Sequence, residues 1–181
     1  LAFTIAGSVI MLLLLGYIDL FQYLLGSNFR QGLDVVPILL LSFLLLGIYY
    51  NFSAWYKLAD QTFIGATIAI AGSVITIVLN IVLIPRIGVI GSAWAALACY
   101  LFMCVTSYQQ GQKYFPIPYK IGRMIGWMAG ALVMYFLMEW LRGFYGGQMA
   151  VVLLVNTLLV ATYVYMIYKI EGSLLKQAAG K

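Results

Sequence analysis

Apolar residues in this chain come in runs about 20 residues long, separated by short polar or glycine–proline breaks. A hydrocarbon core about 30 Å thick needs roughly 20 apolar residues per helix, at about 1.5 Å of rise each. Six runs meet that length: Leu1–Leu25, Val35–Trp55, Phe63–Ile84, Val89–Tyr108, Ile121–Leu141 and Met149–Ile170. The pattern predicts six membrane-spanning helices joined by short links, the longest being Gln109–Lys120. Small and polar residues recur at helical spacing inside these runs. In the third run Gly65, Ala69, Ser73, Thr76 and Asn80 fall three or four residues apart. Such a stripe packs against a helix or faces an aqueous cavity, and packing is the default because small side chains let backbones approach. The fifth run carries Gly122, Gly126 and Gly130, a doubled GxxxG that predicts a close helix contact.

The sharpest break lies within Leu79–Ala95. Pro85 lacks a backbone donor and resists a helix interior, so the third helix is expected to stop near Ile84. Gly88 and Gly91 allow the backbone to turn sharply. Beyond them Ser92, Ala95, Ala96 and Cys99 form a stripe of small residues on the fourth helix. The expected product is a tight hairpin of two membrane helices packed through small side chains.

Composition narrows the class. The chain is 65% hydrophobic and 8% charged, with a mean hydropathy of +1.03. Soluble domains carry about 25% charged residues, so a soluble fold of 181 residues is excluded in favour of an all-α membrane protein. Charge then orients it. With six spans, Lys57, Lys113, Lys120, Arg123, Lys169, Lys176 and Lys181 share the side of the N-terminus, and Arg30, Arg86 and Arg142 lie on the other. An excess of basic residues marks the cytoplasmic side, so both ends are expected in the cytoplasm. The same bias accounts for the net charge of +5 without a nucleic acid partner. Tyr114, Phe115 and Tyr119 among Lys113 and Lys120 resemble a single-strand-binding mixture, but at a membrane face this mixture anchors to headgroups. The chain opens inside an apolar run without an initiator methionine, which reads as a piece of a longer protein, while the polar Lys176–Lys181 reads as a C-terminus.

Candidate chemistry is sparse. There is no histidine, no phosphate loop, no GxSxG and no HExxH. Cys99 and Cys104 are five apart on one helix and do not face each other, so neither a disulfide nor a metal site is expected. No two carboxylates share a helix face within a span, which leaves acid–base catalysis little to use. The chain is expected to be no enzyme and to need no cofactor. Asn51, Lys57, Asp60 and Asn80 are the candidates for a polar cavity lining, with Lys57 and Asp60 also spaced to pair as a surface cap. Asp19 reads as an acid reaching the headgroup zone, and Glu139 with Arg142 as a wet i, i+3 pair.

The segment from Asn80 to Ala95 (NIVLIPRIGVIGSAWA) resembles the N-x-x-L-I-P-x-x-G-x-x-G-A-A-W-A signature of polysaccharide-export and O-antigen flippases, with Ser92 in place of alanine. These belong to the multidrug/oligosaccharidyl-lipid/polysaccharide transporter superfamily. Gly32–Pro37, Tyr49–Thr62 and Ser107–Tyr119 are also similar to that family, so the resemblance covers most of residues 1–119 (four spans), with 120–181 matching by position as the last two helices and tail. It implies the C-terminal part of a 14-helix, two-lobed transporter of the bacterial inner membrane. It implies a lipid-linked oligosaccharide as substrate, carried on undecaprenyl diphosphate and moved by alternating access. Membrane lipids and the polysaccharide polymerase and export machinery are the implied partners. The last two helices would border a groove for the lipid tail. A cation-coupled multidrug exporter of the same superfamily and a non-enzymatic membrane assembly subunit are the alternatives.

Overall fold

A computed structural model describes residues 1–20, 32–114, 116–144 and 149–179, with side chains to residue 172. Among these residues the regular structure is helical, with no strand. The helices are α1 (Ala2–Gly16), α2 (Val36–Phe52), α3 (Ala54–Leu58), α4 (Thr62–Ile87), α5 (Val89–Tyr114), α6 (Ile121–Phe144) and α7 (Met149–Ala179). Five stretches are long and apolar enough to cross a membrane: Gly32–Leu58, α4, α5, α6 and Met149–Gly172 of α7. The chain is a multi-pass helical membrane protein.

The expected six spans are therefore five among the described residues. The first run does not form one uninterrupted helix: α1 is 15 residues long and ends at Gly16. The rest of that run (21–25), Arg30 and the side chains of Lys176 and Lys181 lie outside the described residues.

The third helix also departs from expectation. α4 runs through Pro85 to Ile87. In the last turn a proline forfeits only the one bond its missing N–H would make, and the helix carries on around it. The break is made by Gly88, whose φ of 63° and ψ of −143° suit glycine alone, and whose N–H closes the helix on the Ile84 carbonyl at 2.9 Å. α5 then begins at once. It outlasts its expected end at Tyr108 because Gln109–Lys113 contains no helix blocker before Pro116.

The chain divides into two compact units, Leu1–Gly26 with Lys120–Lys181, and Ser27–Tyr119. α1 therefore lies in one unit with α6 and α7.

In the second unit α5 is the central helix, with α4 against one side and α2 against another. The hairpin turn is as tight as its sequence predicts. A Cβ added to Gly91 would lie 2.8 Å from the Leu83 carbonyl carbon, so only glycine permits this approach. Gly91, Ala93, Ala95 and Cys99 are buried on α5, while Ser92 and Ala96 are half-buried, and Ser92 Oγ bonds the Val89 carbonyl at 2.7 Å. On α4 the buried residues are Gly65, Ile68 and Gly72. Ala69 and Ser73 are exposed, which corrects the expected packing stripe by one flank: the larger Ile68 sits in the interface, and Ser73 and Thr76 satisfy their hydroxyls on carbonyls one turn back. Cys104 Sγ donates to the Leu45 carbonyl (3.0 Å) and Cys99 Sγ to the Gly72 carbonyl (3.2 Å), so both thiols serve as small packing donors.

At the α2–α3 end of this unit Trp55 is buried, donates from Nε1 to the Ser107 carbonyl (3.1 Å) and stacks on Tyr114 at 5.8 Å. Tyr119 packs edge-on against Phe52, and Lys113 lies over the Tyr114 ring. Phe115, the remaining aromatic of this link, lies outside the described residues.

The first unit is a three-helix bundle in which α1, α6 and α7 each touch the other two. Its core holds Leu12, Trp127, Ala131, Met138, Val160 and Tyr163. The Tyr163 hydroxyl donates to the Trp127 carbonyl (2.8 Å) and lies 3.0 Å from Ser8 Oγ. A tyrosine this deep keeps its hydroxyl satisfied across all three helices.

Candidate functional site

The first unit concentrates the polar groups that the apolar pattern leaves unexplained. At the end of α1 the helical ladder fails. The Tyr17 N–H still reaches the Leu13 carbonyl (3.1 Å), but the Leu20 N–H turns to the Tyr17 carbonyl (2.9 Å). The Gly16 carbonyl is taken up instead by Asn156 Nδ2 of α7, at 2.8 Å. One residue further on, the Tyr17 hydroxyl and Thr157 Oγ1 are 2.8 Å apart. A broken helix within an apolar segment is tolerated only where other groups satisfy its freed backbone, and the side chains of α7 do so here. Asn156 and Thr157, adjacent polar residues of the last run, thus hold the α1 break.

Beside this break a groove of about 520 Å³ runs between α1 and α7. Leu13, Val160, Ala161 and Val164 form its walls, with the Tyr17–Thr157 hydroxyls at one end and Tyr165 and Tyr168 at the other. From Thr157 to Tyr168 it follows α7 for about 16 Å. Its lining is almost wholly apolar.

Charged groups mark the two ends of the bundle. At one end Arg142 of α6 bonds Asp19, just past the α1 break, and also Glu139 (3.0 Å). Asp19 is thus one of two acids gathered by Arg142. At the other end Glu171 of α7 is only 1% exposed and pairs with Arg123 of α6, which is 54% exposed. Sequence reasoning assigned Glu171 no role. The available signal was an acid and a base at matching ends of two successive apolar runs.

The four cavity candidates do not form one site. Asn51 is exposed near the end of α2 and bonds its own helix, Nδ2 to the Gly47 carbonyl at 2.9 Å. Lys57 is exposed on α3, and Asp60 follows in a turn with φ of 54°. No ion pair joins them among the described residues: α3 ends at Leu58, and the left-handed turn removes the i, i+3 alignment. Asn80 lies 18 residues into α4, about 27 Å from that helix's start near Asp60. It is half-buried, and its Oδ1 has no hydrogen-bond partner among the described residues. Asn51, Lys57 and Asp60 therefore share one end of the second unit, and Asn80 belongs to the other.

The packing glycines are also divided. A Cβ on Gly130 would rest 3.5 Å from Tyr163, an ordinary contact, whereas one on Gly122 or Gly126 would meet nothing within 4 Å among the described residues. The expected helix contact through all three glycines is thus made at one of them. α6 instead buries Met124, Trp127, Ala131 and Met138, with Trp127 edge-on against Tyr163 of α7 at 5.8 Å. Compared with known proteins, the chain matches no family model, no curated sequence and no solved structure.

Proposed function

We propose that the chain is the lipid-handling, C-terminal part of a transporter that moves lipid-linked oligosaccharide across a bacterial inner membrane by alternating access. The observation that carries this reading is the groove between α1 and α7. A sugar carried on undecaprenyl diphosphate has two unlike parts. Its prenyl tail stays in apolar surroundings while the charged head crosses. The groove offers an apolar course about 16 Å long, open on the helix surface, with hydroxyl groups at one end. The resemblance of Asn80–Ala95 to the flippase signature supports the same reading. So does the placement of charge: Arg86, Arg123, Arg142, Glu139 and Glu171 sit near helix ends, whereas a cation-coupled exporter uses ionisable groups deep in its helices.

The test is complementation with the full-length parent gene in a bacterial strain lacking its own sugar-repeat flippase. Wild type restores surface polysaccharide. Ala161→Trp, which fills the groove from an exposed wall position, abolishes it at unchanged membrane level. Wild type that inserts well yet restores no polymer refutes the reading. Drug resistance in those cells then identifies an exporter, and no transport phenotype identifies an assembly subunit.

A further inference from the structure

The groove between α1 and α7 has hydroxyls at both ends, and the two ends are chemically unlike. At the Tyr17 end the hydroxyl protons are spent. Thr157 Oγ1 donates to the Leu153 carbonyl at 2.7 Å. Its one proton is then used, so the 2.8 Å bond with Tyr17 has the phenol as donor. The relay from Tyr17 through Thr157 to Leu153 leaves these two hydroxyls only acceptor oxygens to offer the groove. At the other end Tyr165 and Tyr168 are 64% and 60% exposed, and neither hydroxyl takes a partner among the described residues. Both keep a proton to donate.

Depth in the membrane runs the same way. The stretch Met149–Gly172 is about 36 Å long, so its middle lies about 18 Å from either end. Tyr168 stands about 6 Å from the Gly172 end and Thr157 about 22 Å. The groove therefore starts near the interface, where tyrosine is favoured, and closes just past the middle. Lys169 adds a positive charge at the Tyr168 level. A belt tyrosine needs only that level, but Tyr165 and Tyr168 also line the groove, three residues apart on one helix face. A phosphate at the Thr157 end would instead lie mid-membrane against acceptor oxygens, unfavourable both for its charge and for its hydrogen bonds.

We propose that the groove holds a phosphate-bearing isoprenoid lipid in one polarity only. The phosphate sits on the Tyr165 and Tyr168 hydroxyls. The part of the tail next to it lies along Val164, Ala161 and Leu13, and the Tyr17–Thr157 pair is the floor at which a longer tail turns out into the bilayer. The polarity rests on the groove being the tail site, and it adds a direction and a length to that reading. A course of about 16 Å takes roughly three five-carbon units, at about 5 Å each for single bonds of about 1.5 Å. The lipid so held belongs to the leaflet on the Lys169 side.

The test uses the purified full chain in bilayer discs, offered farnesyl phosphate or farnesol, each with a diazirine at the tail tip. Cross-linked residues are mapped by mass spectrometry. The tip of farnesyl phosphate labels Leu13, Tyr17 and Thr157 and spares Tyr165 and Tyr168. Tyr165→Phe with Tyr168→Phe lowers that labelling about tenfold, equivalent to one charge-assisted hydrogen bond, and leaves farnesol labelling unchanged. Both positions are exposed, so the thermal midpoint of the double variant matches wild type. Tip labelling at Tyr165 and Tyr168, or spread evenly along α7, overturns the proposal. So does a preference for farnesyl phosphate that survives the double variant. Failed complementation with this label order intact removes the transport reading and leaves the polarity standing. Restored export with the order reversed removes the polarity alone.

Discussion

Replacing Asn156 by leucine isolates the bond that holds the α1 break. Asn156 is 6% exposed and its Nδ2 donates to the Gly16 carbonyl at 2.8 Å. Leucine keeps the branched shape of asparagine, but its methyl groups are bulkier, so a small overpacking cost adds to the loss of the bond. What is lost is one interhelical hydrogen bond, worth about 0.6 kcal/mol on average within membranes and up to about 1.7. The Gly16 carbonyl is then orphaned inside the bundle, and an unsatisfied buried acceptor costs about 1–3 kcal/mol. The apolar gain of leucine offsets part of this, leaving a net destabilisation of about 1–2 kcal/mol. For a chain of this length that lowers the thermal midpoint by roughly 2–8 °C. The assay is intrinsic tryptophan fluorescence during heating in detergent, with amide hydrogen exchange over residues 13–20 as the local readout. Exchange there quickens in Asn156→Leu, because the break loses its anchor while the rest of α1 stays packed. Gly16→Ala is the control. Its methyl lies 3.5 Å from Asn156 Cβ and 3.8 Å from Met138 Cε, both ordinary contacts, so it gains up to about 1 kcal/mol of helix propensity. A midpoint for Asn156→Leu equal to wild type, with unchanged exchange at residues 13–20, refutes the claim that α7 holds the break.

The hairpin and the groove give further tests. Gly91→Val drives a side chain into the Leu83 backbone, which cannot yield as a flexible side chain does, and costs about 3 kcal/mol or more; its signature is loss of detergent-stable folded protein. Gly88→Ala leaves the contacts of the turn open, since a Cβ there meets nothing within 4 Å, and acts only through its φ of 63°, for about 1–3 kcal/mol measured by the thermal midpoint. Ala161→Trp blocks polysaccharide export without lowering membrane level.

Run length and helical spacing carry most of the architecture. An apolar stretch of about 20 residues has few options in a bilayer, because every backbone polar group must be bonded within the segment. α4, α5, α6 and α7 accordingly begin within one residue of where the pattern starts them. The hairpin was legible for the same local reason: Gly88 and Gly91 mark a turn whether or not Pro85 ends the preceding helix. Pro85 misled because its effect depends on how many turns follow it, and here fewer than one does.

The functional features were less legible, and each for a physical cause. Leu1–Leu25 reads as one span because hydropathy does not register where a ladder of hydrogen bonds fails. That failure is stable only because Asn156, 140 residues away in sequence, meets the Gly16 carbonyl. Glu171 looks like a routine acid at a helix end until folding seals it to 1% exposure against Arg123. Gly122, Gly126 and Gly130 are equivalent as a motif, yet tertiary packing brings Tyr163 to one and leaves the other two open. The sequence by itself determined that the chain is helical, apolar enough for a membrane, and folded back at Gly88. Tertiary structure alone decided which polar groups are buried and which glycines are open, because burial belongs to the pairing of distant helices and not to any one of them.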